Sequence, residues 1–204
     1  MKSALERHLT AVPHTLANAA RAAHYGHQGA VLWLTGLSAS GKSSLAMALE
    51  QSLMAQGYSC YVLDGDNLRH GLNANLGFSP ADRAENIRRA GELAALFADA
   101  GLICITAFIS PYRADRARAR QACRSAFHEI HLAAELAVCE SRDPKGLYRQ
   151  ARAGQLPEFT GIDAPYEAPS APQLRLDTGT ESLAQSLEQL VTYVQRQLPL
   201  NRPR

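Results

Sequence analysis

The stretch that most constrains the fold runs from Gly36 to Ser43 and reads GLSASGKS, which fits the phosphate-binding pattern G-x-x-x-x-G-K-[ST]. An apolar run, residues 30–35, precedes this loop, and a segment rich in helix formers, residues 44–53, follows it. In that setting the backbone N–H groups of the loop and the positive end of the helix dipole converge on one point. The pattern therefore predicts a phosphate site between a buried strand and a helix, rather than a chance turn rich in Gly and Ser.

The residue types within the loop suit a nucleotide triphosphate. Gly36 and Gly41 permit a close approach of the backbone, Lys42 can reach the outer phosphates, and the Ser43 hydroxyl can bind Mg²⁺. Ala39 carries a Cβ atom, so a positive φ at this position would be strained. The residues expected to bind ATP are Gly36, Leu37, Ser38, Ala39, Ser40, Gly41, Lys42, Ser43 and Ser44.

Length and composition narrow the classes of protein that fit. The 204 residues suit one domain with a sizeable core, and no segment approaches the roughly 18 apolar residues of a membrane-spanning helix. The N-terminus lacks a secretory apolar region, and the four cysteines form no C-x-x-C pair, with two of them in apolar runs. The net charge of +2 argues neither for nor against a nucleic-acid partner. We expect a cytoplasmic protein that binds neither nucleic acid nor a membrane.

Strand and helix patterns alternate along the chain, which predicts an α/β fold. A long helix over 80–100 is expected between an N-cap at Ser79 and a C-cap at Gly101, and another helix from Pro111 to about Phe127. Periodicity leaves residues 134–142 open between strand and helix. The remaining helices are expected at 144–153 and 181–197, with a loop at 154–172; the strands are expected at 30–35, 60–63, 102–109, 128–132 and 173–176. This order predicts a parallel five-stranded sheet in a single domain with helices on both faces.

Polar side chains follow the expected carboxyl ends of three strands, where ligands bind in parallel sheets. These are the phosphate loop, the pair Asp64 and Asp66, and Ser110. One carboxylate can hold Mg²⁺ and the other can accept the proton of an attacking hydroxyl. An acidic turn is the alternative, since Asp-Gly is a common turn pair, but the position beside a phosphate loop favours a functional role.

Beyond Asp66, basic and amide side chains suit an anionic second substrate that resembles a nucleotide. The candidates are Asn67, Arg69, Arg83, Asn86 and Arg89. Two loop aromatics, Phe78 and Phe159, could stack on a planar base or simply join the core. Residues 142–149 combine cations and aromatics around a Pro and a Gly. This segment fits a mobile lid that closes over phosphate, or alternatively a charged start of a helix.

Five segments in order resemble the signatures of adenylylsulfate kinases. They read LDGDNLRHGLN at 63–73, LGFSPADRAENIRR at 76–89, FISPYR at 108–113, CESRDPKGLY at 139–148 and FTGIDAPYE at 159–167. The resemblance covers about residues 26–178 and implies a P-loop kinase domain at 26–204 that follows an N-terminal arm at 1–25. Three positions depart from the family pattern: Ala39 stands for Gly, Ser44 for Thr and Asn75 for Asp.

The resemblance implies transfer of the ATP γ-phosphate to the 3′-hydroxyl of adenosine 5′-phosphosulfate (APS), in sulfate assimilation, with Mg²⁺ as cofactor and a homodimer as the assembly. It implies that Asp64 is the base or organises the metal together with Ser43. Ser110 matches a serine described in the family as a phosphoserine intermediate, but in-line transfer needs only positioning and charge neutralisation, so we expect it to position substrate or metal. The implied catalytic residues are Asp64, Lys42, Ser110 and Asp66; the implied APS contacts are Asp64, Arg69, Phe78, Arg83, Asn86, Ile109, Ser110, Lys145 and Phe159; Arg142 is an implied ATP contact.

Two other functions remain open from the sequence. A different small-molecule or nucleotide kinase would share the phosphate loop, although the basic and aromatic candidates favour a nucleotide acceptor over a sugar. A nucleotide-binding regulatory module belongs to another class, and the absence of an N-K-x-D guanine motif weakens a GTPase-like version of it.

Overall fold

The computed structural model describes residue 10 and residues 12–201. Most of the first half of the arm predicted at 1–25, namely residues 1–9 and 11, therefore lies outside the described residues. The second half of that segment contains a helix, α1 (Asn18–Tyr25), which ends at Gly26 in a left-handed conformation with φ 78°. Among the described residues, no helix is long and apolar enough to span a membrane.

A parallel five-stranded sheet forms the centre of the molecule, as predicted. Its strands are β1 (Ala30–Thr35), β2 (Cys60–Asp64), β3 (Ile103–Ala107), β4 (Ala126–Leu132) and β5 (Leu174–Leu176). They lie in the order β2-β3-β1-β4-β5, and each neighbouring pair is parallel. Since β1 and β3 are central and adjacent, the loops that follow them share one edge of the sheet with the loop that follows β2.

Helices cover both faces of the sheet, and β1 is therefore buried on both sides. Alternate residues of β1 separate into two cores: Leu32 packs with α2 (Lys42–Gln56) and α8 (Leu183–Gln197), whereas Trp33 packs with α4 (Pro80–Asp99) and α5 (Arg113–Ala122). The short helices are α3 (Gly65–Arg69), α6 (Leu136–Arg142) and α7 (Leu147–Arg152). A third, smaller cluster with Cys139, Tyr148 and Phe159 lies beneath α6 and α7. The phosphate loop is thereby anchored to the best-buried strand of the fold.

Two sequence predictions for element boundaries after Pro111 were wrong. The helix expected to reach about Phe127 ends at Ala122, because Cys123 has an extended backbone with φ −88° and ψ 119°. The next strand accordingly begins at Ala126 rather than at His128. Phe127 belongs to this strand and packs its ring on Trp33, with 5.7 Å between ring centroids. Packing in the core therefore outweighed the helical pattern of the preceding residues.

Other boundaries were confirmed or sharpened by the structure. The Ser79 side chain accepts a hydrogen bond from the Asp82 backbone, as expected of an N-cap, and the C-cap is Ala100, with Gly101 next in a left-handed conformation. The open segment 134–142 contains helix α6, and the helix predicted at 144–153 is the shorter α7. Helix α3 was not predicted, because the Asp-Gly pair before it is typical of a turn.

Candidate active site

A cavity of about 650 Å³ opens at the carboxyl ends of β1, β2 and β3. It collects side chains from the phosphate loop, from α3 and α4, from the segment after β3 and from the segment around α7. Most of the predicted site residues line it: Ser38, Ala39, Gly41, Lys42, Ser43, Ser44, Asp64, Asp66, Arg69, Phe78, Arg83, Asn86, Ile109, Ser110, Lys145 and Phe159. Parallel strand geometry thus brings together groups that are separated by more than a hundred residues of sequence.

Four predicted ATP contacts do not line this cavity. Gly36 and Ser40 are buried within the loop itself. A Cβ atom on Gly36 would lie 2.7 Å from the Leu132 carbonyl oxygen. Leu37 contributes to a separate depression of about 730 Å³ beside β4 and the segment 161–168. Arg142 donates from Nη2 to the Thr178 carbonyl at 2.7 Å and from Nη1 to the Ala39 carbonyl at 3.5 Å. Their roles toward ATP stay predictions.

The phosphate loop carries its cation in a buried position. Lys42 Nζ donates to the Leu37 carbonyl at 2.6 Å, which holds the ammonium group inside the curve of the loop. Burial lowers the pKa of Lys42 from 10.5 to about 8. A phosphate bound in the loop would favour the charged form of this ammonium group, because an opposite charge offsets part of the desolvation.

Ala39 adopts φ 59°, a left-handed conformation that is unusual for a residue with a Cβ atom. The position is fixed by the turn of the loop between β1 and α2, and the next glycine, Gly41, has φ 95°. The backbone strain anticipated for alanine at this position is therefore present in the structure.

The two aspartates after β2 have different surroundings. Asp64 is the N-cap of α3: its Oδ1 accepts from the Asp66 backbone N–H at 2.9 Å, and its Oδ2 accepts from the Ser43 hydroxyl at 2.6 Å. The Asp66 carboxylate instead forms an ion pair with Lys145, and both of these side chains are exposed. Asp64 is thus fixed against the phosphate loop, whereas Asp66 connects α3 to the segment before α7.

Arg83 joins two separate segments at the far side of the cavity. Its guanidinium donates from Nε to the Phe78 carbonyl at 2.7 Å, from Nη1 to Thr160 Oγ1 at 2.9 Å and from Nη2 to the Glu158 carbonyl at 2.6 Å. Arg83 therefore positions the stretches that carry both candidate stacking aromatics, in addition to facing the cavity.

The two aromatics are not equivalent. Phe78 is 60% exposed, and the Arg69 guanidinium carbon lies 4.4 Å from the centroid of its ring. Phe159 is buried and meets the Tyr148 ring edge-on, with 5.0 Å between centroids. Both rings line the same cavity, so one exposed and one buried ring could flank a base.

Ser110 is buried and held in place by neighbours from the strands. Its Oγ accepts from Trp33 Nε1 at 3.1 Å and donates to Thr35 Oγ1 at 3.0 Å. Arg116 Nη1 donates to the Ser110 carbonyl at 2.6 Å, and Ser110 has φ 41°. The Phe108 carbonyl lies 3.4 Å from the same hydroxyl as an alternative acceptor. These hydrogen-bond partners all belong to the protein, and the expected contact with substrate or metal stays a prediction.

The oxygen atoms of Ser43 and Asp64 suit Mg²⁺, a hard cation that keeps several waters and binds substrate phosphates besides one or two protein groups. In residues 10 and 12–201 no cluster of three or more His, Cys, Asp or Glu residues could hold a metal by itself. The adjacent Ser43 hydroxyl and Asp64 carboxylate would suit an Mg²⁺ ion that is also bound by phosphate oxygens.

Sequence reasoning missed several groups that shape the cavity. Thr160 anchors Arg83, Trp33 and Thr35 hold Ser110, and Asn73 holds Asn86 with a hydrogen bond of 3.0 Å. The two strand residues gave no signal beyond apolar or β-branched character. Asn73 and Thr160 lie inside the quoted family signatures, so the motif positions themselves were the available signal.

Comparison with known proteins places these features in one family. The family model described as adenylylsulphate kinase matches residues 28–177. An adenylyl-sulfate kinase from Geotalea uraniireducens is 58% identical over 172 residues, which cover 84% of this chain and 83% of that protein. The match spans the phosphate loop, the acceptor side and the segment of α6 and α7.

Solved structures agree with this result. An APS kinase from Mycobacterium tuberculosis, solved in complex with AMPPNP and APS, is 49% identical with a TM-score of 0.80, and the match covers 82% of this chain and 98% of that chain. A hexameric APS kinase from Thiobacillus denitrificans is 32% identical with a TM-score of 0.65, over 85% of this chain and 30% of that chain. The sequence signatures, the parallel sheet and these similarities agree: the chain belongs to the adenylylsulfate kinase family.

Proposed function

We propose that this chain transfers the γ-phosphate of ATP to the 3′-hydroxyl of APS, which gives 3′-phosphoadenosine 5′-phosphosulfate and ADP. The observation that carries the proposal is the single cavity in which a phosphate loop faces Asp64 on one side and Arg69, Arg83 and Asn86 on the other. Such a cavity suits two anionic nucleotides, with the γ-phosphate of one and the acceptor hydroxyl of the other meeting at the Asp64 carboxylate.

In this proposal the phosphate loop holds the triphosphate through its backbone N–H groups, and Lys42 neutralises the outer phosphates. Asp64 accepts the proton of the 3′-hydroxyl as that oxygen attacks phosphorus in line. Ser43 and Asp64 would hold Mg²⁺, which neutralises charge on the β- and γ-phosphates when bound. Because Ser43 already donates to Asp64, the metal and the base would share one anchored carboxylate.

On the acceptor side, Arg69 and Arg83 provide cations for the phosphosulfate group, and Phe78 and Phe159 flank the adenine. Lys145 lines the cavity and pairs with Asp66, so the segment before α7 already contacts α3 beside the phosphate loop. We propose that this segment closes as a lid, which excludes water from the transfer.

A coupled assay of ADP release tests the proposal directly. Purified protein with ATP and Mg²⁺ is offered APS, nucleoside monophosphates and sugars in parallel, and turnover is expected with APS. Turnover with another acceptor but not with APS would overturn the assignment and favour the alternative of a different small-molecule kinase. Nucleotide binding without turnover of any acceptor would favour a regulatory module.

The cytoplasmic location, the participation in sulfate assimilation, the homodimer and the boundary between arm and kinase domain at residue 26 stay predictions. Measurement of molar mass by light scattering would check the homodimer. A monomer in solution that turns over APS would contradict that expectation without affecting the proposed reaction.

A further inference from the structure

The turn at residues 70–76 places a buried asparagine against α4, behind the acceptor side of the cavity. Asn73 is completely buried, and its Nδ2 donates to Asn86 Oδ1 at 3.0 Å. Asn86 lines the cavity, whereas Asn73 does not. The pair therefore connects a residue outside the site to one whose amide faces the proposed acceptor.

The hydrogen bond determines which end of the Asn86 amide faces the cavity. Its oxygen is occupied by Asn73, and its nitrogen donates to no protein group among the described residues. An amide held in this way offers two N–H donors to a ligand and keeps its acceptor turned away. Oxygens of a phosphate, a sulfate or a ribose accept such donors, so this orientation favours an anionic or hydroxylated ligand.

The opposite orientation of the pair is less favourable. As the structure has it, Asn73 Oδ1 is buried and has no hydrogen-bond partner in the described part of the chain. If both amides were reversed, Asn73 would instead bury an unpaired NH₂ group, and Asn86 would present its oxygen to the cavity. Buried N–H groups without a partner are rarer than buried carbonyl oxygens without one, and a reversed Asn73 would leave both donors of its NH₂ group unpaired, so the observed orientation is preferred.

The surrounding turn fixes the position from which Asn73 donates. The Asn73 backbone N–H donates to the Leu68 carbonyl at 2.8 Å, and the Leu76 N–H donates to the Asn73 carbonyl at 3.0 Å. One helical turn along α4 from Asn86, Arg89 Nη1 donates to the Leu72 carbonyl at 3.2 Å and to Asn75 Oδ1 at 2.8 Å. The turn is thus attached to α4 by Arg89 as well as by the asparagine pair.

We propose that Asn73 is a positioning residue for the acceptor: it locks the Asn86 amide so that only N–H donors face the bound anionic nucleotide. The proposal rests on the proposed function, because APS is the acceptor on which it is measured. It adds a specificity determinant behind the cavity wall, one that never touches the substrate.

Two Asn-to-Asp changes in the same turn give a matched test. N73D replaces the donor by a carboxyl group that, when ionised, can only accept, so the Asn86 amide must reverse and turn its oxygen to the ligand. N75D makes the same chemical change two residues later, at a position that only accepts from Arg89. Assays at about pH 8.5, far above the ordinary pKa of a carboxyl group, favour its ionised form.

For N73D we expect a rise of at least about tenfold in KM for APS, the scale of one hydrogen bond to a charged group, with KM for ATP within about twofold of wild type. N75D is expected to match wild type for both substrates. In an N86A background, adding N73D should change KM for APS no further, since Asn73 acts through Asn86. Equal KM values for APS in N73D and N75D would overturn the proposal, as would an equal effect of N73D with and without Asn86.

A buried carboxylate can also prevent folding, so N73L provides a second variant with the same number and branching of side-chain heavy atoms. It removes the donor without adding charge, and releases the Asn86 amide to adopt both orientations. We expect a rise of a few-fold in KM for APS with KM for ATP unchanged, and no such rise would contradict the proposal. The wild-type protein is assayed first, so a failure of the proposed reaction is separated from a failure of this inference.

Discussion

The two halves of the cavity are built in different ways. The donor half is one continuous stretch, Gly36–Ser44, whose groups are held by their own backbone between β1 and α2. The acceptor half is assembled from α3, Phe78, the start of α4, the segment after β3 and residues from the segment 156–160, and the turn at 70–76 supports it from behind. Side chains such as Arg83 and Asn73 hold these pieces together.

The difference separates local from long-range determinants. A local loop needs only its own residue types and a strand before it, so a substitution there acts on one substrate. An assembled wall depends on side chains that touch several segments, so a substitution there changes position as well as charge. Asp64 lies between the halves, because it contacts Ser43 of the loop and begins α3 of the wall.

The largest expected effect comes from removing the charge at this junction. D64N keeps the size of the side chain and can still accept from the Asp66 backbone, but an amide cannot take the proton of the attacking hydroxyl. We expect kcat to fall by about 10²-fold or more, with Kd for each nucleotide within a few-fold of wild type. Steady-state kinetics and calorimetric titration of each nucleotide measure the two quantities.

D66N is the matched comparison for D64N, since Asp66 pairs with Lys145 rather than with the loop. Its ion pair is exposed, so we expect a smaller loss of activity than in D64N. A kcat for D64N near that of wild type would refute the role of Asp64 as base.

The next effect should be confined to the acceptor half. R83K keeps the charge but not the planar fork that reaches the Phe78, Glu158 and Thr160 oxygens together, so the wall around the aromatics should loosen. We expect KM for APS to rise about tenfold to a hundredfold, since two or three hydrogen bonds to a charged donor are lost, with KM for ATP nearly unchanged.

R88K is the control for R83K. Arg88 lies on the same helix and pairs with Glu85 at 2.7 Å, and it does not line the cavity. This variant is expected to leave both KM values at the wild-type level. Similar losses in R83K and R88K would mean that α4 responds to any Arg-to-Lys change, and the assembled wall would lose its support.

The contrast between the halves also explains what the sequence could predict. The phosphate loop, β1 and the order of strands and helices follow from patterns within short windows, and they were confirmed. The end of α5 was not predicted, because Phe127 is placed in a strand by its contact with Trp33, which lies more than ninety residues away in the sequence. Helix α3 was missed because the Asp64 side chain caps it, a contact that a turn-forming Asp-Gly pair does not reveal.

In the candidate site, sequence patterns predicted the residue types but not the partners of those residues. Family signatures pointed to Arg83 and Ser110 as ligand contacts, while the structure adds that both form hydrogen bonds to distant protein segments. Asn73 lay within a signature without any stated role, since only its distance to Asn86 shows what it does. Such roles depend on tertiary contacts, which periodicity and spacing do not encode.

A pH dependence is expected for the donor half alone. Burial lowers the pKa of Lys42 to about 8 in the protein without nucleotide, so above that pH its neutral form predominates and ATP binding must take up a proton. Affinity for ATP should then fall by up to about tenfold per pH unit above pH 8. The fall should level off at the pH where bound ATP can no longer keep Lys42 protonated. Calorimetric titration of ATP between about pH 7 and pH 9.5 measures this change.

The same shift has a stability consequence of defined sign. Because the folded pKa lies below the ordinary value of 10.5, the unfolded chain binds more protons than the folded chain between pH 8 and 10.5. The contribution of Lys42 to the free energy of unfolding therefore rises with pH across this window. Below pH 8 the buried charge lowers the free energy of unfolding by a constant amount. An ATP affinity that stays level from pH 7 to 9.5 would contradict the lowered pKa.

The smallest effect concerns the strained residue of the phosphate loop. A39G removes the Cβ atom at φ 59°, which relieves a left-handed strain of about 1–2 kcal/mol but adds about 0.5–1 kcal/mol of unfolded-state entropy. The first term exceeds the second by about 0–1.5 kcal/mol, so we expect the free energy of unfolding to rise by at most about 1.5 kcal/mol. A48G makes the same change inside α2, where it should lower stability by about 1 kcal/mol. Denaturant titration of both variants therefore distinguishes strain in the loop from a general effect of Ala-to-Gly changes. If A39G lowers the free energy of unfolding as much as A48G does, the loop carries no strain that glycine relieves.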